Sequence, residues 1–398
     1  MLESPDVAAL EAFVDGFGRR AWRERISELT AVARSPTRAG RAALQRHVIE
    51  LTIERWRRRQ ANRPASPAET RILELTQDSS RLFDTLPAAA RDRLRVTLRL
   101  ATEACNTLVP AFHMMRTAAM QRQRGFDVSF PGLEDEASFD LLIHRDGHEA
   151  EVACDVVSAE DGRGVHRQAW TSLCDRVDPD LQVWLAAHPG RYLLKLTLPQ
   201  GLKDLPEGDA LGALHTRITA ILSNSRRADH DEAAVLRLDP LMLAAAQADE
   251  LGLMPRLRHE FGPEAHLAVT KAERSLFVMA ARAGQENEVA VAIRRRMTAV
   301  APARLSGARP GILAMFIEDT DRTEWRLLRE RMDLEGETRQ FLTDPSARSV
   351  VAVTCASRVE LFNLACSDAA PEGELRFRNQ AHPAAKAAAL APAVLSSV

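Results

Sequence analysis

The sequence predicts an α/β (α+β) protein, with a helical N-terminal domain followed by a mixed-sheet domain with flanking helices. Three observations predict it. Apolar residues recur at helical spacing through residues 1–124. At Gly125 the pattern turns to alternation and β-formers, cut by the turn signals Pro131-Gly132 and Asp146-Gly147. Beyond residue 286, helix-then-strand pairs follow one another, as in αβ crossover units.

In the first segment Val7, Leu10 and Val14, and again Leu44, Val48 and Leu51, mark helix faces. Prolines 36, 64, 67, 87 and 110 divide it into four or five expected helices. Ser66-Pro67-Ala68-Glu69 reads as a capping box with proline at the first helical position. Strands over 125–130, 138–145 and 149–158 then form an antiparallel meander. A helix over 166–177 and a strand over 191–198 follow, and then a helix over 209–223 with Asp209 as N-cap. A strand at 233–238 and a helix at 241–261 come next. Strands at 265–270 and 275–280 precede a helix at 286–300. The stretches 311–317 and 349–354 read as buried strands, with a helix from Glu324 between them. Residues 381–398, rich in Ala and Pro, read as a frayed tail. The expected domains are 1–124, 125–365 and a terminal strand and tail at 366–398.

Composition excludes several classes. The chain has 398 residues, with 53 basic against 55 acidic side chains, so overall charge points to no partner. The balance is uneven along the chain: residues 1–124 carry a net charge of about +8, the remainder about −10. Only Lys195, Lys203, Lys271 and Lys386 are lysines, so any lysine-dependent mechanism has four candidates. The five cysteines are widely spaced and form no CxxC pair, which argues against a structural zinc site or a disulfide framework. The N-terminus lacks a basic segment followed by an apolar run, so no signal peptide is expected. No apolar run approaches the roughly 18 residues a membrane span needs. A reduced, bacterial-type cytoplasm is the expected location. No P-loop, GxSxG elbow or HExxH motif occurs.

The chemistry concentrates in the meander. Side chains two apart on a strand share a face, so Glu149, Glu151, Ala153 and Asp155 point one way and Val152, Cys154 and Val156 the other. Pairing through the Asp146-Gly147 turn brings Asp140 towards Glu151 or Ala153. Carboxylates so placed suit Mg²⁺, a hard cation that prefers oxygen ligands. Such a metal would activate water for phosphodiester hydrolysis.

The layout of strand, Asp, hairpin, acidic strand and basic helix resembles the PD-(D/E)xK, or restriction-endonuclease-like, superfamily. The segment CDVVSAEDGRGVHR carries the resemblance. Asp140 takes the place of the motif's first metal-binding Asp, and Cys154, Val157 and Ser158 match their counterparts. The motif's metal-binding acid falls on Ala153 and its lysine on Asp155. Alanine cannot ligate a metal, and aspartate cannot supply the positive charge that stabilises a reacting phosphate. The resemblance therefore implies a restriction-endonuclease-like fold with one of two fates. In one, the site is degenerate and the fold serves as a non-catalytic scaffold for a protein partner or a homo-oligomer. In the other, the site is rearranged. Asp140, Glu151 and Asp155 then hold Mg²⁺, and Lys195, in the strand RYLLKLTLP, acts as a migrated lysine in a nuclease.

Nucleic acid is the expected partner of the basic residues. Arg55, Arg58 and Arg59 belong to a run in the helical segment that would grip phosphates without reading sequence. Arg163, His166 and Arg167 lie at a helix start, where free N–H groups hold anions. His144 and His148 are expected to be exposed, Trp170 and Trp184 to be core residues, and Cys355 to be an inert thiol.

Overall fold

A computed structural model describes residues 7–58, 63–103, 106–203, 209–224, 226–241, 250–262, 264–362, 368–370 and 372–397. Arg59, Cys105, Cys366 and the first part of the helix expected at 241–261 lie outside these residues. The described strands are β1 (Asp127–Ser129), β2 (Leu141–Arg145), β3 (His148–Ser158), β4 (Arg191–Leu198), β5 (Ala228–His230), β6 (Val235–Pro240), β7 (His266–Ala272), β8 (Ser275–Ala283), β9 (Gly311–Glu318), β10 (Val350–Ser357) and β11 (Leu375–Arg378). They form two mixed sheets, so the α+β class holds. No described helix is long and apolar enough to cross a membrane.

By contacts the chain divides into two compact units. One comprises Met1–Arg34, Ala43–Ala159 and Ala290–Val398, the other Ser35–Ala42 and Glu160–Val289. The boundary expected at residue 124 is therefore not a break. The first helices share one core with the first sheet, in which Phe13, Trp22 and Phe112 lie in the same cluster as Ile143, Val152, Phe316 and Val351. The boundary at 365 also falls inside the first unit, while 160–289 is an insertion into it.

In the first unit the sheet order is β1-β2-β3-β9-β10-β11. β1, β2 and β3 form the expected meander, and β3, β9 and β10 run parallel. Asp146 and Gly147 both have positive φ, 48° and 75°, as a two-residue type I′ hairpin turn requires. β9 and β10 are buried along their whole length, which explains their continuous apolar sequences. Between Asp127 and Leu141 the chain is less extended than expected, because Pro131–Glu134 turns into a short helix. The capping box forms: Ser66 accepts from the Glu69 N–H, and the Glu69 carboxylate accepts from the Ser66 N–H at 2.8 Å.

The expected frayed tail is packed instead. Ala385, Leu390, Ala393 and Val394 are buried in the shared core. Beyond them, the Ser397 N–H donates to the Arg376 carbonyl at 3.2 Å, and the Ser397 hydroxyl accepts from the Arg376 N–H at 2.8 Å. The tail thus covers β11, the edge strand. Its alanines lowered the apparent hydrophobicity, but each costs little entropy to bury.

In the second unit the sheet order is β5-β6-β4-β8-β7, with β4 and β8 parallel. Helices Arg167–Ala187 and Ala210–Ser223 pack on it through Leu173, Val177, Leu181, Ile218 and Ile221. The helix expected to stop at residue 177 runs on through Pro179 to Ala187. Leu181 and Leu185 keep the apolar stripe in phase, and their burial offsets the loss of one backbone hydrogen bond. Trp170 lies in this core, while His144 and His148 are exposed, all as expected.

Candidate functional site: a carboxylate face closed by arginines

The alternation read from β3 is observed. Val152 is buried among the N-terminal helices' apolar residues, and Cys154 and Val156 pack against the same cluster. Glu151, Ala153 and Asp155 occupy the opposite face, where the helix Val289–Arg304 supplies the partner of Asp155, and Ser306, just beyond that helix, the partner of Glu151. Asp140 lies one residue beyond the Leu141–Val152 pair, opposite Ala153.

Each carboxylate is engaged. Asp140 Oδ2 accepts from the Cys154 N–H at 2.7 Å, and Arg304 Nη2 donates to both its oxygens at 2.8 Å. Burial raises the Asp140 pKa above the usual carboxylate value, against the pull of Arg304 and the Cys154 amide, and Asp155 raises it further. Asp155 receives a two-pronged guanidinium from Arg296, with Nε at 2.5 Å and Nη2 at 2.8 Å. Glu151 is fully buried. It accepts from the Ser306 N–H at 2.8 Å and from the Ser306 hydroxyl, with Arg309 at 3.7 Å. Glu149, nearer the hairpin turn, pairs with Arg309 at 2.7 Å.

The oxygens a Mg²⁺ ion would need therefore already accept from guanidinium, amide and hydroxyl donors. Among the described residues, no group of three His, Cys, Asp or Glu side chains stands in metal-holding geometry. A metal could take up these oxygens only by displacing those donors. Asp140, Glu151 and Asp155 share a sheet face but act as anchors for one helix and the loop after it. Lys195 belongs to β4, in the sheet of the second unit. Its ammonium faces Asp239 at 3.9 Å and the Phe261 ring at 5.8 Å.

The basic residues expected at phosphates are largely bonded within the protein. Arg55 pairs with Glu69 and Arg58 with Glu54. Arg57 bridges Glu54 and Glu11 at 2.9 and 2.8 Å. Burial opposes ionisation of Glu54 and Glu69. Hydrogen bonds from Arg57 and Trp22 to Glu54, and from Arg63 and Ser66 to Glu69, outweigh it and hold both near pKa 2. Further along, Arg95 donates to the Gly16 carbonyl at 2.9 Å and Arg93 to the Leu133 carbonyl at 2.6 Å. At the expected anion site in the second unit, the Glu160 carboxylate sits where a phosphate was expected. It accepts from the Arg167 N–H at 2.8 Å and pairs with Arg163. Burial lowers the His166 pKa, and its side chain makes no capping bond.

The residues that sequence reasoning missed are Arg296, Arg304 and Ser306. Arg296 and Arg304 stand 141 and 164 residues from their partners, so no local spacing links them. Their only trace was arginine recurring along the helix from 289. Cys355 is fully buried and its thiol pKa is pushed up, in keeping with an inert role. Compared with known protein families, curated proteins and solved structures, the chain matches none of them.

Proposed function

We propose that this chain is a nuclease-like protein of the PD-(D/E)xK type whose phosphodiesterase site is degenerate and whose fold serves as a non-catalytic scaffold for protein interaction. One observation carries the reading: the three carboxylates meant for a metal are bonded to Arg304, Arg296 and Ser306. A site built for Mg²⁺ keeps its carboxylate oxygens available; here positive side chains replace the ion's charge and hold a helix against the sheet. Ala153 at the motif's acid and Asp155 at its lysine support the same reading, because neither side chain can do the chemistry of the residue it replaces. The internal pairing of Arg55, Arg57 and Arg58 favours a protein partner, or a second copy of the chain, over nucleic acid.

The test is incubation of purified protein with single- and double-stranded DNA and RNA, with Mg²⁺ or Mn²⁺. The expected outcome is no metal-dependent cleavage, no rise in melting temperature on adding Mg²⁺, and no salt-sensitive nucleic-acid affinity. Metal-dependent cleavage that disappears in Asp140→Ala would overturn the proposal and restore the rearranged nuclease.

A further inference from the structure

Three loops meet at the end of the first unit's sheet where β9 and β10 begin. They are the turn after the helix Val289–Arg304, the short 3-10 turn Pro345–Ala347 with the residues after it, and the segment from His382 to Ala384. Between them lies a cleft of about 560 Å³, within the range of small-molecule sites. Its chemistry is one-sided. Arg309, Arg348 and His382 line it, and no carboxylate does so among the described residues.

Two of these groups are set up to donate. The Arg348 guanidinium has no hydrogen-bond or ion-pair partner among the described residues. His382 Nδ1 accepts from the Ala384 N–H at 3.1 Å, which leaves the proton of a neutral ring on Nε2. Arg309 is steadied by Glu149, which pairs with it from outside the lining. The rest of the lining is mixed: Pro302, Leu305, Pro345 and Pro383 supply apolar surface, and Ser306, Ser346 and Ser349 supply polar groups. A guanidinium fork matches phosphate oxygens two at a time, and proline faces suit a flat ring.

We propose that this cleft binds a small phosphorylated ligand bearing a planar ring, of the size of a nucleoside monophosphate. The phosphate would lie against Arg348 and Arg309, with the His382 Nε2–H as a further donor, and the ring against the prolines. The site shares Ser306 and Arg309 with the carboxylate face, but Arg348 and His382 take no part in that face, so the cleft stands whether or not the face is degenerate.

The test is calorimetric titration of the full chain with AMP, GMP, adenosine and inorganic phosphate. At least one monophosphate should bind ten times more tightly than either adenosine or inorganic phosphate. Arg348→Ala should weaken that binding at least tenfold and leave the melting temperature unchanged. Arg348→Lys, which keeps the charge but loses the fork, should fall between. No binding at millimolar nucleotide, affinity unchanged in Arg348→Ala, or inorganic phosphate binding as tightly as the nucleotide would each overturn the proposal. So would Arg348-dependent binding of duplex DNA without nucleotide binding.

Discussion

Replacing Arg296 by alanine should cost more stability than neutralising its partner Asp155. The Asp155 side chain is 9% exposed and that of Arg296 is 48% exposed. Losing Arg296 strands a buried carboxylate, whereas losing the Asp155 charge leaves a guanidinium that water can reach. Removing one partner of a fully buried pair costs roughly 3–5 kcal/mol, and a surface pair is worth about 0–1 kcal/mol. With one partner buried and the other half exposed, Arg296→Ala should cost about 2–3 kcal/mol and Asp155→Asn about 1 kcal/mol. The double change Arg296→Met with Asp155→Leu should recover most of the loss, since apolar side chains of similar volume satisfy the same space. Urea denaturation followed by far-ultraviolet circular dichroism reads these as midpoint shifts at unchanged slope. A cost below about 0.5 kcal/mol for Arg296→Ala, or a larger cost for Asp155→Asn than for Arg296→Ala, would refute the view that this arginine serves to neutralise a buried charge.

Other outcomes follow from the same geometry. His113 is buried, with its Nε2 2.8 Å from the Ala314 carbonyl, and burial pushes its pKa down to about 4. The unfolded chain therefore binds a proton that the folded one refuses, and stability should fall as pH drops from about 6.5 towards 4. Thermal melts of His113→Gln should show a flatter dependence across that window. Glu54 and Glu69, held near 2, add a second loss at lower pH, from about 4.5 towards 2. Glu54→Gln should remove part of this loss in acid melts, and an unchanged profile would count against the arginine pairing. Ser66→Ala removes one half of a formed capping box and should cost about 1 kcal/mol in urea denaturation. Gly201→Ala should destabilise the second unit, because φ is +76° and a Cβ would stand 2.1 Å from the Gly164 carbonyl oxygen. Limited proteolysis would report this as faster cleavage within 160–289.

What could be read from the sequence was local. The Asp146-Gly147 hairpin, the capping box at Ser66 and the alternation of β3 each depend on residues within a few positions of one another. The carboxylates were found for that reason, and their guanidinium partners were missed for the same reason. Arg296 and Arg304 reach Asp155 and Asp140 only after the chain has left the first unit, built the second and returned. A motif read along the strand counts acids and cannot see what stands opposite them. The helix through Pro179 and the packed tail were misjudged differently: a local breaker and a low-hydrophobicity stretch were each overruled by burial of a few well-placed apolar residues, Leu181 and Leu185 in one case and Leu390 and Val394 in the other.

The insertion also has a consequence for how the molecule is made. Glu151 of β3 pairs with Gly311 of β9, so the centre of the first sheet closes a loop of about 160 residues. On the ribosome β3 emerges long before its parallel neighbour, with the backbone groups of one edge unpaired. The second unit, wholly contained in residues 160–289 apart from Ser35–Ala42, is complete before β9 is synthesised. Folding that unit first would draw the ends of the long loop together and lower the entropy cost of joining β3 to β9. The inserted unit would then act during synthesis as an internal tether for the sheet it interrupts.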